Sequence, residues 1–279
     1  MSPISAAIVE PGDAEKRLAA RRELRVGIIG AGRLGSALAM LTLARGLPRE
    51  RLLLSTGGGQ ESLAHLRETG LADRVATNED IVERCDTVVI ALRPQALPML
   101  KPLPYVDGRI LVSCMAGIPL RCIAAIAGAG VTRAMTSGPD TLLEGRGIAA
   151  VHPVGTPAVE FFAFLGLPVI ALADESLMDA FTAAVCLPAA LVLVGEAALT
   201  DLDELARDYP ELEAVFRWAP GVLPPFPGGE AERDAYLLRM ITPGGITERI
   251  VASMRSGLRM RDAFRKGIDR AREIAAACR

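Results

Sequence analysis

The stretch that most restricts this chain is Leu24 to Ala39, LRVGIIGAGRLGSALA. Leu24, Val26, Ile28 and Ile29 make an apolar run long enough for one buried strand and too short for a helix. Gly30, Gly32 and Gly35 follow in the spacing G-x-G-x-x-G, and Leu34, Ala37, Leu38 and Leu41 then repeat at helical spacing. Each glycine has a physical task. Gly30 permits a tight turn out of the strand, Gly32 lets a pyrophosphate approach the backbone, and Gly35 lets helix and strand pack closely. The phosphates would sit at the helix N-terminus, where unpaired N–H groups and the dipole favour negative charge. The order strand, fingerprint, helix predicts a dinucleotide site; the alternative is a bare strand-to-helix turn.

Composition narrows the remaining classes. A chain of 279 residues, 51% hydrophobic, can bury a full core. A net charge of −2 without a dense Lys/Arg block argues against a nucleic-acid partner. Five widely spaced cysteines (Cys85, Cys114, Cys122, Cys186, Cys278) with no C-x-x-C read as free thiols in a reducing cytoplasm, with no metal. The longest apolar stretch, Pro188 to Val194, ends at Gly195-Glu196, so no membrane span is expected. Residues 1–23 lack the apolar core and cleavage site of a signal peptide and read as an arm with a short basic helix around Ala14 to Arg22. His65 and His152, the only histidines, stand in no acid–base context: His65 is expected on a helix surface and His152 at a strand end. Neither a Ser-His-Asp set nor a paired-carboxylate site can be assembled.

The first helix stops at Gly46-Leu47-Pro48, and Arg51 to Ser55 is the second strand. An acidic residue after that strand would hold the ribose hydroxyls of NAD; the chain instead reads Ser55-Thr56-Gly57-Gly58-Gly59, which leans to NADPH, with Arg33 or Arg51 assisting. Gln60 to Thr69 is helical, Val75 to Thr77 a short strand, and Asn78 is expected to cap a helix running to Cys85. Thr87 to Leu92, Arg109 to Cys114, Val131 to Met135, Ile148 to Val151 and Val169 to Leu172 supply further strands, with a helix over Leu120 to Ala127. Alternation from 24 to 173 means an open α/β sheet. From Asp174 onward the strands vanish, and helices are expected over Leu177–Leu199, Asp201–Trp218, Ala231–Met240, Thr247–Ser256 and Met260–Cys278. The division is therefore an extension (1–23), a dinucleotide-binding domain (24–173) and a helical domain (174–279).

Several stretches together resemble the pyrroline-5-carboxylate reductase family. GIIGAGRLGSALA resembles its nucleotide turn. DTVVIALRPQ resembles its aspartate-strand-Lys-Pro-Gln segment, with Arg93 for the lysine. VSCMAGIPL resembles its Ser-x-x-Ala-Gly-Ile turn, Arg133-Ala134-Met135 its Arg-x-Met, and TPGGIT its late Ser-Pro-Gly-Gly-x-Thr loop. The resemblance implies a Rossmann-type doubly wound parallel sheet followed by an all-helical dimerisation domain, and a homodimer or higher homo-oligomer. It implies that Gly30, Ala31, Gly32, Arg33, Leu34 and Gly35, with Ser55, Thr56 and Asn78, line the dinucleotide. Ala91, Leu92, Pro94, Met115, Ala116 and Gly117 would lie beside the nicotinamide. Gly244 and Gly245 would hold the substrate carboxylate by backbone N–H groups, and Thr247 by its hydroxyl; such a turn suits an anion.

Two segments depart from the family pattern. Its Met-Pro-Asn-Thr-Pro is here Met135-Thr136-Ser137-Gly138-Pro139, and its Gly-Ser-Gly-Pro-Ala turn is Val185-Cys186-Leu187-Pro188-Ala189, although Pro188 and Glu196 keep the pattern. The resulting expectation is a cytoplasmic NADPH-dependent reductase of a cyclic imine, 1-pyrroline-5-carboxylate to proline first. The alternatives are a reductase of another cyclic imine or keto compound, and a dinucleotide-binding dimer without catalysis.

Overall fold

The computed structural model describes residues 8–9, 24–57, 59–101, 103–128, 130–194 and 199–276. The helix expected at Ala14 to Arg22, Glu196 and Cys278 lie outside these residues. The strands are β1 (Ile8–Val9), β2 (Val26–Ile29), β3 (Leu52–Ser55), β4 (Thr87–Ile90), β5 (Ile110–Ser113), β6 (Val131–Thr136), β7 (Ala149–His152) and β8 (Val169–Ala171). They form one sheet in the order β1-β8-β7-β6-β5-β4-β2-β3. Pairing is parallel except for β6 with β7 and β1 with β8. The N-terminal segment thus does more than trail: Ile8–Val9 adds an edge strand. Strands β2 to β6 all end at one edge, with Ile29 in register with Ser55 and Ile90. The crossing between β2 and β4 makes the crevice in which such sheets take ligands.

Helices follow in chain order: α1 (Arg33–Ala44), α2 (Gln60–Glu68), α3 (Asn78–Arg84), α4 (Leu120–Ala127), α5 (Pro139–Leu143), α6 (Pro157–Phe164), α7 (Leu177–Ala184) and α8 (Leu187–Val194). The remainder are α9 (Leu199–Asp208), α10 (Glu213–Gly221), α11 (Glu230–Met240), α12 (Ile246–Arg255) and α13 (Met260–Ala276). Strand alternation sorts side chains to two faces. Val26, Ile28, Leu52, Leu54 and Ala134 join a core with α1 and α6, whereas Ile29, Ile90 and Leu111 face α3 and α4. On that second face the far end of the sheet is covered by the helical half: Met135, Ala150 and Ile170 share one core with Phe181, Phe216 and Phe264.

Several elements depart from expectation for local reasons. Thr77, not Asn78, caps α3: its hydroxyl accepts the Asp80 amide at 3.0 Å while the Asp80 carboxylate holds the Thr77 amide, a reciprocal box. Val75 makes only a single bridge to Leu54 in place of a strand. The helix expected over Leu177–Leu199 breaks into α7 and α8, bent by 45°. Pro188 has no N–H for the Ala184 carbonyl and its ring crowds that turn. Tyr209-Pro210 similarly divides the helix expected over Asp201–Trp218 into α9 and α10. Helices α5 and α6, both opened by proline, were not anticipated; α6 is buried on most sides and so lacks an amphipathic period.

Candidate active site

The glycine turn is built as its spacing requires. Gly30 has φ 97°, and a Cβ there would meet Leu92 Cδ2 at 2.8 Å and the Ala91 carbonyl oxygen at 2.9 Å. A Cβ on Gly35 would overlap the Gly30 carbonyl, whereas nothing lies within 4 Å of the corresponding position on Gly32. The turn is therefore closed against its own scaffold and open where a phosphate would approach. Gly30 and Ala31 amides donate to the Ser55 carbonyl at 3.1 and 2.7 Å, fixing the end of β3 beside it. Gly32 is the N-cap of α1, and the Ser36 amide closes its first helical bond. The Arg33, Leu34 and Gly35 amides are left at the open helix end. Two buried oxygens nearby, Ser55 Oγ and Asn78 Oδ1, have no hydrogen-bond partner. Buried polar atoms are rarely left so. An open Gly32, free helix amides and orphaned acceptors fit a dinucleotide.

A cleft of about 380 Å³ opens beside this turn, lined by Gly32, Arg33, Glu61, Ser62, His65 and Arg93. His65, expected merely on a helix surface, joins α2 to α1 through a 2.9 Å contact between its Nε2 and Ser36 Oγ. Across the crevice, Ala91 and Leu92 are half-buried and Pro94 opens a 3-10 turn, Pro94–Leu100. Met115 and Gly117 are buried and Ala116 half-buried. Gly117 has φ 74°, and a Cβ on it would lie 2.6 Å from the Ala271 carbonyl oxygen, so this turn rests directly on α13.

The late loop docks on α13 one residue away, where Arg270 Nε donates to the Gly244 carbonyl at 2.9 Å. The backbone amides of the two loop glycines are engaged internally. The Gly245 amide closes on the Thr242 carbonyl at 2.8 Å, and the Gly244 amide donates to Glu248 Oε2 at 2.7 Å. The open donors at this helix start are instead the Ile246, Thr247 and Glu248 amides, since the Arg249 amide makes the first helical bond to Gly245. Thr247 is buried in the first turn of α12, beside the Cys186 thiol. Burial pushes that thiol up to about 11, partly opposed by Thr247, so it stays protonated near neutrality. Among the described residues no hydrogen bond or ion pair links this loop to the Gly30–Gly35 turn; α13 is what the loop and the Met115–Gly117 turn share.

A family model described as "NADP oxidoreductase coenzyme F420-dependent" matches residues 25–117. The pyrroline-5-carboxylate reductase of Pseudomonas aeruginosa is 28% identical over 250 residues, covering 83% of this chain and 89% of that one. That of Methanosarcina acetivorans is 32% identical over 169 residues, 57% of this chain and 62% of that one. Among solved structures, the Coxiella burnetii pyrroline-5-carboxylate reductase matches with TM-score 0.59 at 20% identity, covering 91% of this chain and 99% of that one. The Plasmodium falciparum pyrroline carboxylate reductase, solved with NADP bound, gives 0.57 at 19%, covering 90% and 98%. Over most of its length this chain is thus similar to the pyrroline-5-carboxylate reductases.

Against that similarity, the chain departs at the break between α7 and α8. Cys186 donates to the Thr182 carbonyl at 3.3 Å and lies beside Thr247, where the resembled turn carries a serine. Arg133, noted only as part of an Arg-x-Met match, proves to be a buried cation. Its Nη1 and Nη2 lie 3.1 and 2.8 Å from the carboxylates of Glu175 and Asp179. An arginine inside the apolar strand VTRAM was the available signal, because a buried guanidinium demands partners.

Proposed function

We propose that this chain reduces a cyclic imine with a nicotinamide dinucleotide, the preferred pair being NADPH and 1-pyrroline-5-carboxylate, giving L-proline. The observation carrying this reading is the meeting of the Met115–Gly117 turn and the Thr242–Thr247 loop on adjacent residues of α13. When bound, the nicotinamide supplies hydride to the imine carbon. The protein's part is position and field. Gly32 and the first amides of α1 receive the pyrophosphate; Ser55, Thr56 and Asn78 receive the adenosine ribose. No carboxylate stands directly after β3, between Thr56 and Gln60, to repel a 2′-phosphate. The first-turn amides of α12 and the Thr247 hydroxyl take the substrate carboxylate, with Gly244 and Gly245 shaping the turn. A protonated iminium needs no acid from the chain, in keeping with the lack of a histidine at this site.

The reading extends to a homodimer in the cytoplasm, with no nucleic acid. Apolar side chains remain exposed on the helical half: Leu238, Leu199 and Val194. A groove of about 520 Å³ runs between Leu193, Val194, Leu223, Pro225 and Phe226. No single helix among the described residues is long and apolar enough to cross a membrane. A second reading, a different cyclic imine, is favoured by the apolar 185–189 turn, whose Cys186 thiol lies beside Thr247. Dinucleotide oxidation measured over a panel of cyclic imines, with and without a carboxylate, tests both. Turnover of 1-pyrroline-5-carboxylate above the others supports the first reading, and turnover of none sinks both.

A further inference from the structure

Arg133 lies in the middle of β6, in register with Ser113 of β5 and His152 of β7, and is 3% exposed. Its guanidinium meets Glu175 at 3.1 Å and Asp179 at 2.8 Å, and its Nε is left without a partner. Glu175 is shared. The same Oε1 that takes Arg133 Nη1 also accepts the Leu120 amide at 2.6 Å. Leu120 opens α4 immediately after the turn Met115-Ala116-Gly117-Ile118-Pro119. The other end of that turn is tied by the Met115 amide to Ser113 Oγ at 3.4 Å, and its middle rests on the Ala271 carbonyl.

A buried ion pair is weak evidence for stability, since desolvation offsets most of its attraction. What this one adds is geometry. A rigid strand of the sheet grips a carboxylate from the helical half, and that carboxylate grips the turn. We propose that Arg133 and Glu175 are positioning residues that fix the Met115–Pro119 turn against the nicotinamide end of the cofactor. The inference rests on the dinucleotide reading above. The brace touches neither the glycine turn nor the adenosine cleft, so its loss should be felt at one end of the cofactor only.

The test compares Glu175→Ala, Glu175→Gln and Arg133→Lys with wild type. Dissociation constants are measured for NADPH and for 2′,5′-ADP, which carries the adenosine end alone. Glu175→Ala should weaken NADPH by about tenfold to a hundredfold, the range for one charged hydrogen bond, and leave 2′,5′-ADP unchanged. Glu175→Gln and Arg133→Lys, which keep an acceptor and a cation, should fall between. Equal weakening of both ligands, or of neither, overturns the proposal. A wild type that binds NADPH but reduces no imine refutes the substrate reading and leaves this comparison intact. If wild type binds neither NADPH nor 2′,5′-ADP, amide exchange decides. Faster exchange confined to 115–120 in Glu175→Gln supports the brace, and unchanged or chain-wide exchange overturns it.

Discussion

The Gly244 amide donates a 2.7 Å hydrogen bond to the Glu248 carboxylate, so the late glycine loop carries its own negative charge at the start of α12. A substrate carboxylate approaching that helix end must displace or repel it. Replacing Glu248 by Ala should lower KM for a carboxylated imine by about twofold to fivefold, the scale of one exposed charge near a helix N-terminus. KM for an uncarboxylated cyclic imine should stay as in wild type. Equal changes for both substrates would place Glu248 outside the substrate site.

Thr247→Ala removes one hydroxyl while leaving the first-turn amides in place. Catalytic efficiency should fall by about tenfold to a hundredfold, with NADPH affinity unaltered. Thr247→Ser should restore most of the loss. Steady-state kinetics beside a cofactor titration separate this from a helix cap, for which stability alone would change.

Ser55 Oγ is buried without a partner, which costs stability until a ligand arrives. Ser55→Ala should therefore stabilise the free protein by about 1 kcal/mol and weaken NADPH binding. Denaturant unfolding without cofactor and fluorescence titration with it should move in opposite directions. Wild-type NADH binding tighter than NADPH would separately refute the cofactor preference.

Gly117→Ala places a methyl against the Ala271 carbonyl at a φ of 74°. A loss of about 1–3 kcal/mol is expected from strain and close contact together. Thermal unfolding measures it, and imine turnover should fall further than the stability loss alone implies.

Light scattering should give at least twice the 29.5 kDa chain mass. Leu238→Arg, at a side chain 76% exposed, should shift the population toward monomer without unfolding it.

The nucleotide half was legible because its rules are local. Gly30, Gly32 and Gly35 stand where backbone geometry admits them, and the strand edges follow from β-branched runs. The helical half was less so. Apolar segments such as 187–194 carry no period to phase them, and only Pro188 and Pro210 betray the breaks. The Arg133–Glu175 pair spans 42 residues and depends on tertiary placement that no local pattern encodes. The engaged Gly244 and Gly245 amides were missed for a related reason: a glycine turn announces its shape, not which side chain will fill its donors.

The helical half grows out of the sheet's own face. Met135, Ala150 and Ile170 pack in one cluster with Phe181, Phe216 and Phe264, so no dry seam separates the portions before and after residue 173. Parting them would expose that cluster to water, at roughly 25 cal/mol for each Å² of apolar surface. A swinging hinge between the two portions is thereby opposed. Any opening of the site would then fall to exposed surface segments such as 242–244.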